Sequence, residues 1–261
     1  MELSSLIFLI SLAFIAEIID SSMGMLYGTL LSPLLVILGY EATVVIPSVL
    51  LSQALGGIIS SFFHHKYHNA DFSVIDKKPS KDLATVIFLT FFGILATVFS
   101  VFIAVNLPKN LIKIYIGILV ILMGFLVISK FKLTFSWKKV LILSLLSAFN
   151  KGITGGGYGP VVASGQTIIG SKYKSSIATT IFAKAPICIA GFLSYFFLKG
   201  FNDWYFLSAL ITGSVLAAPI GAYLTSKLDE SKIKPILGLV IIISGFWILA
   251  QVLLGIAYSG S

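Results

Sequence analysis

The sequence has no arginine at all: its 18 basic residues are every one lysine. AT-rich codon usage is the bland explanation, but the chemical consequence holds either way. Without a guanidinium fork, any anion site must be built from lysine, hydroxyls or backbone N–H groups. Cysteine is nearly absent too. Cys188 alone excludes an intramolecular disulfide and a cysteine-rich metal site, and inside its apolar stretch it reads as a small core residue. Charge of either sign is scarce, at 11% of residues, where an ordinary soluble domain carries roughly a quarter. A chain of 261 residues with so few charges cannot cover a water-facing surface of its own. Soluble enzymes, disordered tails and nucleic-acid-binding domains are therefore excluded, despite a pI of about 9.5. No Walker A pattern, HExxH or GxSxG is present, so ATP-driven transport by this chain alone and membrane-embedded hydrolysis lack support, and no cofactor is implied. His64-His65-x-x-His68 has an i, i+4 pair, but in a lysine-bearing loop at a helix end it reads as solvated, not as a metal site.

What the chain does have is apolar length: 57% hydrophobic residues and a mean hydropathy of +1.04. A spanning helix needs about 20 apolar residues. Six segments meet this simply, at 42–63, 83–105, 111–129, 176–198, 204–226 and 235–257. Two more, 3–38 and 140–169, are too long for one crossing and are interrupted by Asp20–Gly28 and by Lys151–Pro160. Glycine runs of this kind unwind a helix, and the freed backbone must then line a cavity or be buried in protein. Each is expected to be two legs meeting at a break. The first, with no basic stretch before it and no small-residue cleavage site after its apolar run, reads as a retained membrane segment. If both broken elements return to the side they came from, thirteen lysines fall on one side and three on the other. A single crossing by the second would give nine against seven, so the positive-inside rule selects the first arrangement, with both termini outside.

The halves repeat. An offset of 131 aligns Gly24 with Gly155, Tyr27 with Tyr158 and Gly28 with Gly159, and sets Asp20 opposite Lys151 and Gln53 opposite Lys184. An offset of 121 matches Ile112-Lys113-x-x-x-Gly117 to Ile233-Lys234-x-x-x-Gly238, and Gly124-Phe125 to Gly245-Phe246. One returning element plus three crossings is an odd net number, so the halves must be inverted. The expected fold is an all-α membrane protein of two inverted repeats, residues 1–130 and 131–261, each a broken helix pair plus three transmembrane helices. Secondary transporters commonly use this plan, with the substrate at the repeat interface.

The stretches Glu17–Gly24 through Ser32-Pro33, Gly152–Pro160 and Ala178–Lys184 resemble the TauE/SafE family of membrane proteins, often called sulfite exporters. The resemblance covers nearly the whole chain. It implies a secondary transporter in a prokaryotic cytoplasmic membrane, moving sulfite, a sulfonate, thiosulfate or a related organic anion by alternating access. A passive anion channel is the alternative; a homo-oligomer and a coupling proton or sodium ion are further expectations. The first break is glycine-poor, with Met23, Met25 and Leu26 where the second has Thr154, Gly156 and Gly157, so the two halves are not expected to contribute equally.

A helix leg starting after a glycine-rich break aims free N–H groups and its positive dipole end at the cavity. Gly155, Gly156 and Gly157 are candidate backbone donors of that kind, with the Thr154 hydroxyl beside them. Lys151 and Lys184 fall within membrane segments, where charge is costly and functional by default. Gln53, Ser21, Ser22, Gly24, Tyr27 and Tyr158 complete the candidate substrate set. Asp20 and Glu17, three residues apart on one helix face, are candidates for pairing with a lysine or for carrying a coupling ion.

Overall fold

A computed structural model describes residues 3–76, 78–108 and 136–227, with scattered positions between 111 and 128 and between 239 and 250. The expected crossings at 111–129 and 235–257, the motif repeated at an offset of 121, the 130/131 boundary, and Lys77, Lys109, Lys113, Lys130, Lys132, Lys232 and Lys234 lie outside these residues or at their scattered margins. The protein is an all-α membrane protein. Its described helices are α1 (Leu3–Met23), α2 (Tyr27–Ile37), α3 (Ala42–Lys66), α4 (Lys81–Ala104), α5 (Trp137–Thr154), α6 (Tyr158–Ile168), α7 (Tyr173–Lys199) and α8 (Trp204–Lys227). A short antiparallel ribbon, β1 (Val74–Ile75) with β2 (Lys78–Pro79), joins α3 to α4. Five helices (α1, α3, α4, α7 and α8) are long and apolar enough to cross a membrane.

Both long interrupted segments are broken where glycine accumulates, but the unwound stretch is only three residues in each. It comprises Gly24–Leu26 in the first and Gly155–Gly157 in the second. Asp20 and Lys151 therefore lie in the last turns of α1 and α5, not in the unwound backbone expected from the sequence. Helix persists there because neither Asp20-Ser-Ser-Met nor Lys151-Gly-Ile-Thr needs a positive φ. Gly24, Gly155 and Gly157, at φ +76°, +70° and +78°, do have one. Leu26, the repeat mate of Gly157, is forced to φ 105°. The legs are unequal: α1 is roughly 32 Å long and α2 roughly 16 Å at 1.5 Å per residue. α2 folds back, so that Leu35 near its end shares one buried cluster with Leu9, Val45 and Phe206. In the second half Val140, Val162 and Ile169 do the same.

α1 packs extensively on α8, and α5 on α4, so that each broken element lies against a helix of the other half. α3 and α7 meet in the middle; α3 also packs on α8, and α4 on α7. Small residues let the backbones close up. A Cβ at Gly221 would collide with Ser21, and one at Gly152 with Ser100, so knob and hole change places between the two halves. Lysines sort to one end of the bundle. There Lys174 Nζ donates to the Ser226 carbonyl (2.8 Å), Ser175 Oγ donates to Asp82 (2.6 Å), and Trp137 stacks near Phe88, gathering Lys66, Lys78, Lys81, Lys138, Lys139, Lys172, Lys174 and Lys227. Lys199 stands at the other end, beside Thr43 and Asn202.

Candidate functional site

Four helices deliver one long polar side chain each to the middle of the bundle: Asp20 from α1, Gln53 from α3, Lys151 from α5 and Lys184 from α7. All four are at most 2% exposed. Lys184 Nζ pairs with Asp20 Oδ2 at 2.5 Å. Gln53 Nε2 donates to the same oxygen at 2.9 Å, and its Oε1 accepts from Lys151 Nζ. Lys151 Nζ also donates to the Gly155 carbonyl at 2.6 Å. Asp20 Oδ1 accepts the first N–H of α2, that of Tyr27, at 3.3 Å. The two residue pairs that the repeat sets opposite each other thus cross: the ion pair Asp20–Lys184 is the counterpart of Lys151–Gln53. Asp20 balances one lysine. Among the described residues Lys151, 1% exposed, meets two neutral oxygens and the Cys188 thiol, with no carboxylate in hydrogen-bond contact. Cys188 Sγ, 3.9 Å from Gln53 Oε1, closes that side.

Beside the quartet lies a second polar pocket. Glu17, fully buried, accepts the Ser21 hydroxyl on Oε1 at 2.5 Å, and Ser214 Oγ stands 3.0 Å from Oε2. Ser214 Oγ is also 3.1 Å from the Ser52 carbonyl oxygen, and Tyr27 OH donates to Ser52 Oγ at 2.9 Å. The second half has no such chemistry. Glu17 is replaced by Ala148 and Ser21 by Gly152; Ser214 is answered by Gly93, whose added Cβ would press on Ile187 and Ala148. Tyr158, mate of Tyr27, has a buried hydroxyl without a partner among the described residues, because Ala183 stands where the first half has Ser52.

The breaks touch one another backbone to backbone. A Cβ at Gly28 would collide with the Gly155 carbonyl, and one at Gly159 with that of Gly24, which makes two crossed contacts of the same kind. The N–H groups expected to face a cavity are engaged here. Gly155 N donates to the Lys151 carbonyl (2.9 Å), Gly156 N to Thr154 Oγ1 (3.0 Å) and Gly157 N to Thr29 Oγ1 (2.9 Å). Thr154 Oγ1 in turn donates within its own turn, to the Asn150 carbonyl. Ser22 Oγ bonds back to the Ile19 carbonyl, so its hydroxyl is not part of the quartet. Ser21 is spent on Glu17.

The histidine motif needs correction. His64 is not solvated: it is fully buried, its Nε2 is 2.9 Å from the Ser21 carbonyl oxygen, and Asn69 sits against its Nδ1. α3 simply runs three residues further than its apolar run, carrying His64 under α1 while His65 and His68 stay exposed. Ser52, Ser214 and Thr29 escaped sequence reasoning because a lone hydroxyl in an apolar helix is routine packing. Only the contrast of Ser214 with Gly93 across the repeat distinguishes it. Two cavities lie at the bundle's ends, away from the quartet. One, of about 370 Å³, is lined by Thr43, Lys199 and Asn202. The other, of about 290 Å³, is lined by His65, Asn69, Asp82 and Lys172.

Apolar crossing helices, two broken elements in contact, and buried charges converging beside them define a multi-pass membrane transporter, the class of protein in which unwound backbone and intramembrane charge serve a moving solute. Comparison with known proteins agrees and is more specific: the chain belongs to the sulfite exporter TauE/SafE family, which matches residues 9–248. It is similar to the probable membrane transporter protein YtnM of Bacillus subtilis (strain 168), 28% identical over 248 residues, or 88% of this chain and 79% of YtnM. No solved structure matches significantly.

Proposed function

We propose that the protein is a secondary transporter of a small sulfur-containing or organic anion, of the sulfite, sulfonate or thiosulfate class, in the cytoplasmic membrane. The observation that carries this reading is Lys151, a buried ammonium held by an amide oxygen and a carbonyl and, among the described residues, by no carboxylate. Placing a lysine at the centre of a membrane helix costs roughly 2.5–3.5 kcal/mol on insertion scales. Packing alone gives no reason to bear that cost. An anion arriving at Lys151 exchanges neutral partners for an ionic one, with Lys184 and the N-terminus of α6 close by. Gly155, Gly156, Gly157, Thr154, Gln53 and the Tyr27 and Tyr158 hydroxyls line its approach once the breaks part.

Residues 1–130 and 131–261 act as inverted repeats. The exchange of packing partners between halves and the crossed glycine contacts support this. Alternating access follows when the two breaks separate toward one end of the bundle and then the other, each end already holding a cavity. The lysine-rich end faces the cytoplasm, as the positive-inside rule requires.

The test is anion affinity of purified protein, read by calorimetry against sulfite, thiosulfate and methanesulfonate. Lys151→Met is expected to weaken the tightest of these by about 10- to 100-fold, the loss of a charge-assisted contact. Lys138→Met, at the exposed start of α5, leaves it unchanged. Equal affinity in Lys151→Met would overturn the assignment.

A further inference from the structure

We infer that Glu17 is a proton site, and that the proton it takes is the one that accompanies the anion; the coupling rests on the transport reading above, whereas the proton site does not. A carboxylate as deeply buried as this needs either a cation in contact or a proton. Asp20 has the cation, in Lys184. Among the described residues Glu17 has none: its two oxygens meet only the hydroxyls of Ser21 and Ser214.

The hydrogen-bond geometry fits a neutral acid. Ser214 Oγ stands 3.0 Å from Glu17 Oε2 and 3.1 Å from the Ser52 carbonyl oxygen, and it has one hydrogen to share between them. If Glu17 is ionised, that hydrogen must serve one acceptor and leave the other. When Glu17 is protonated, Oε2–H donates to Ser214 Oγ, Ser214 donates to the Ser52 carbonyl, and Ser21 donates to Oε1, so every hydrogen has an acceptor. A metal cation is a poor occupant, because it needs several oxygens standing around it, and these are already in direct hydrogen-bond contact with one another. Gly56 makes room for the pocket, since a Cβ there would collide with Ser214 Oγ. The second half fills the equivalent place with Ala148, Ile187 and Gly93, so the fold does not require this chemistry.

The titratable groups facing Glu17 are Asp20 on its own helix, Tyr27 on α2 and Lys184 on α7. Among the described residues α3 contributes His64, which reaches the Ser21 carbonyl and Asn69, and α8 contributes Ser214 and no charge. Together these explain coupling. With Glu17 ionised, Asp20 and Glu17 balance Lys151 and Lys184. Protonation forms one O–H bond and leaves the cluster one positive charge in excess, which a monoanion then neutralises. Proton and anion favour each other's binding reciprocally, and both are released together at the opposite face.

Infrared difference spectroscopy of the purified protein tests the site directly. A protonated buried carboxyl band is expected near neutral pH, present in Asp20→Asn, absent in Glu17→Gln and shifted in Ser214→Ala. No such band in wild type, or a band surviving Glu17→Gln, would overturn the inference. The coupling is read in proteoliposomes with labelled methanesulfonate, an anion too weakly basic to carry the proton itself. For one proton per anion, a one-unit pH gradient, acid outside, drives about tenfold accumulation. Glu17→Gln is expected to lose that accumulation yet keep anion exchange. Wild-type flux indifferent to the gradient refutes coupling through Glu17. Absence of any wild-type flux with sulfite, thiosulfate and methanesulfonate refutes the transport reading instead, and the infrared band alone then decides the proton site.

Discussion

At the scale of single residues, the quartet is held by a charge balance that mutation can unpick. Asp20 serves three partners at once: Lys184, Gln53 and the first N–H of α2. Asp20→Asn keeps an oxygen for that N–H but removes the one acid that, among the described residues, contacts either lysine. Breaking a buried pair costs about 3–5 kcal/mol, far more than replacing both partners with neutral side chains. Each of Asp20→Asn and Lys184→Met is therefore expected to lower the melting temperature by roughly 10 °C. The double variant should regain most of the loss while remaining inactive. If it melts as low as the sum of the two singles, the pair is not the source of the stability. By sequence Lys184 is the stronger anion-anchor candidate, midway along its apolar segment, whereas Lys151 has the alternative of an interfacial position. Here its charge is already answered by Asp20, so the free role falls to Lys151.

At the scale of elements, the broken helices depend on contact between their own backbones. Gly28 and Gly159 have no positive φ to explain them; what they supply is the absence of a side chain where Gly155 and Gly24 come close. Gly159→Ala drives a Cβ onto a carbonyl that cannot step aside, and overpacking of this kind costs about 1–3 kcal/mol. A fall of about 5 °C in melting temperature is expected. Gly57→Ala, where the new Cβ stands 3.4 Å from that of Ala185 in ordinary contact, is the matched control and should change little. If the two variants melt alike, the breaks are not packed as described. The glycine runs and the polar residues stranded in apolar helices were legible in the sequence, because both violate what a plain lipid-spanning helix needs. What they touch was not legible. Nothing local in Asp20-Ser-Ser-Met or Gly152-Ile-Thr-Gly says that the two glycine breaks meet each other or that their N–H groups bond to Thr29 and Thr154. Periodicity also could not bury His64, since the end of an apolar run is the weakest boundary signal a helix offers.

At the scale of the whole molecule, the scarce charges are sorted by position. Among the described residues, the lysines of one end and Lys199 at the other flank the buried quartet, and a hollow lies at each end. Lys151 Nζ lies close against Gly28, where an added Cβ would stand 2.9 Å from it. In the proposed mechanism an anion crosses the membrane through this centre by way of Lys151. Counterflow measures it most directly. Proteoliposomes loaded with unlabelled sulfite, thiosulfate or methanesulfonate are diluted into the labelled anion, with no ion gradient. Wild-type protein should take up label in a saturable overshoot for at least one of them, Lys138→Met should match it, and Lys151→Met, folded and inserted, should reduce it by at least tenfold. A conductance without counterflow, or full counterflow in Lys151→Met, would contradict it.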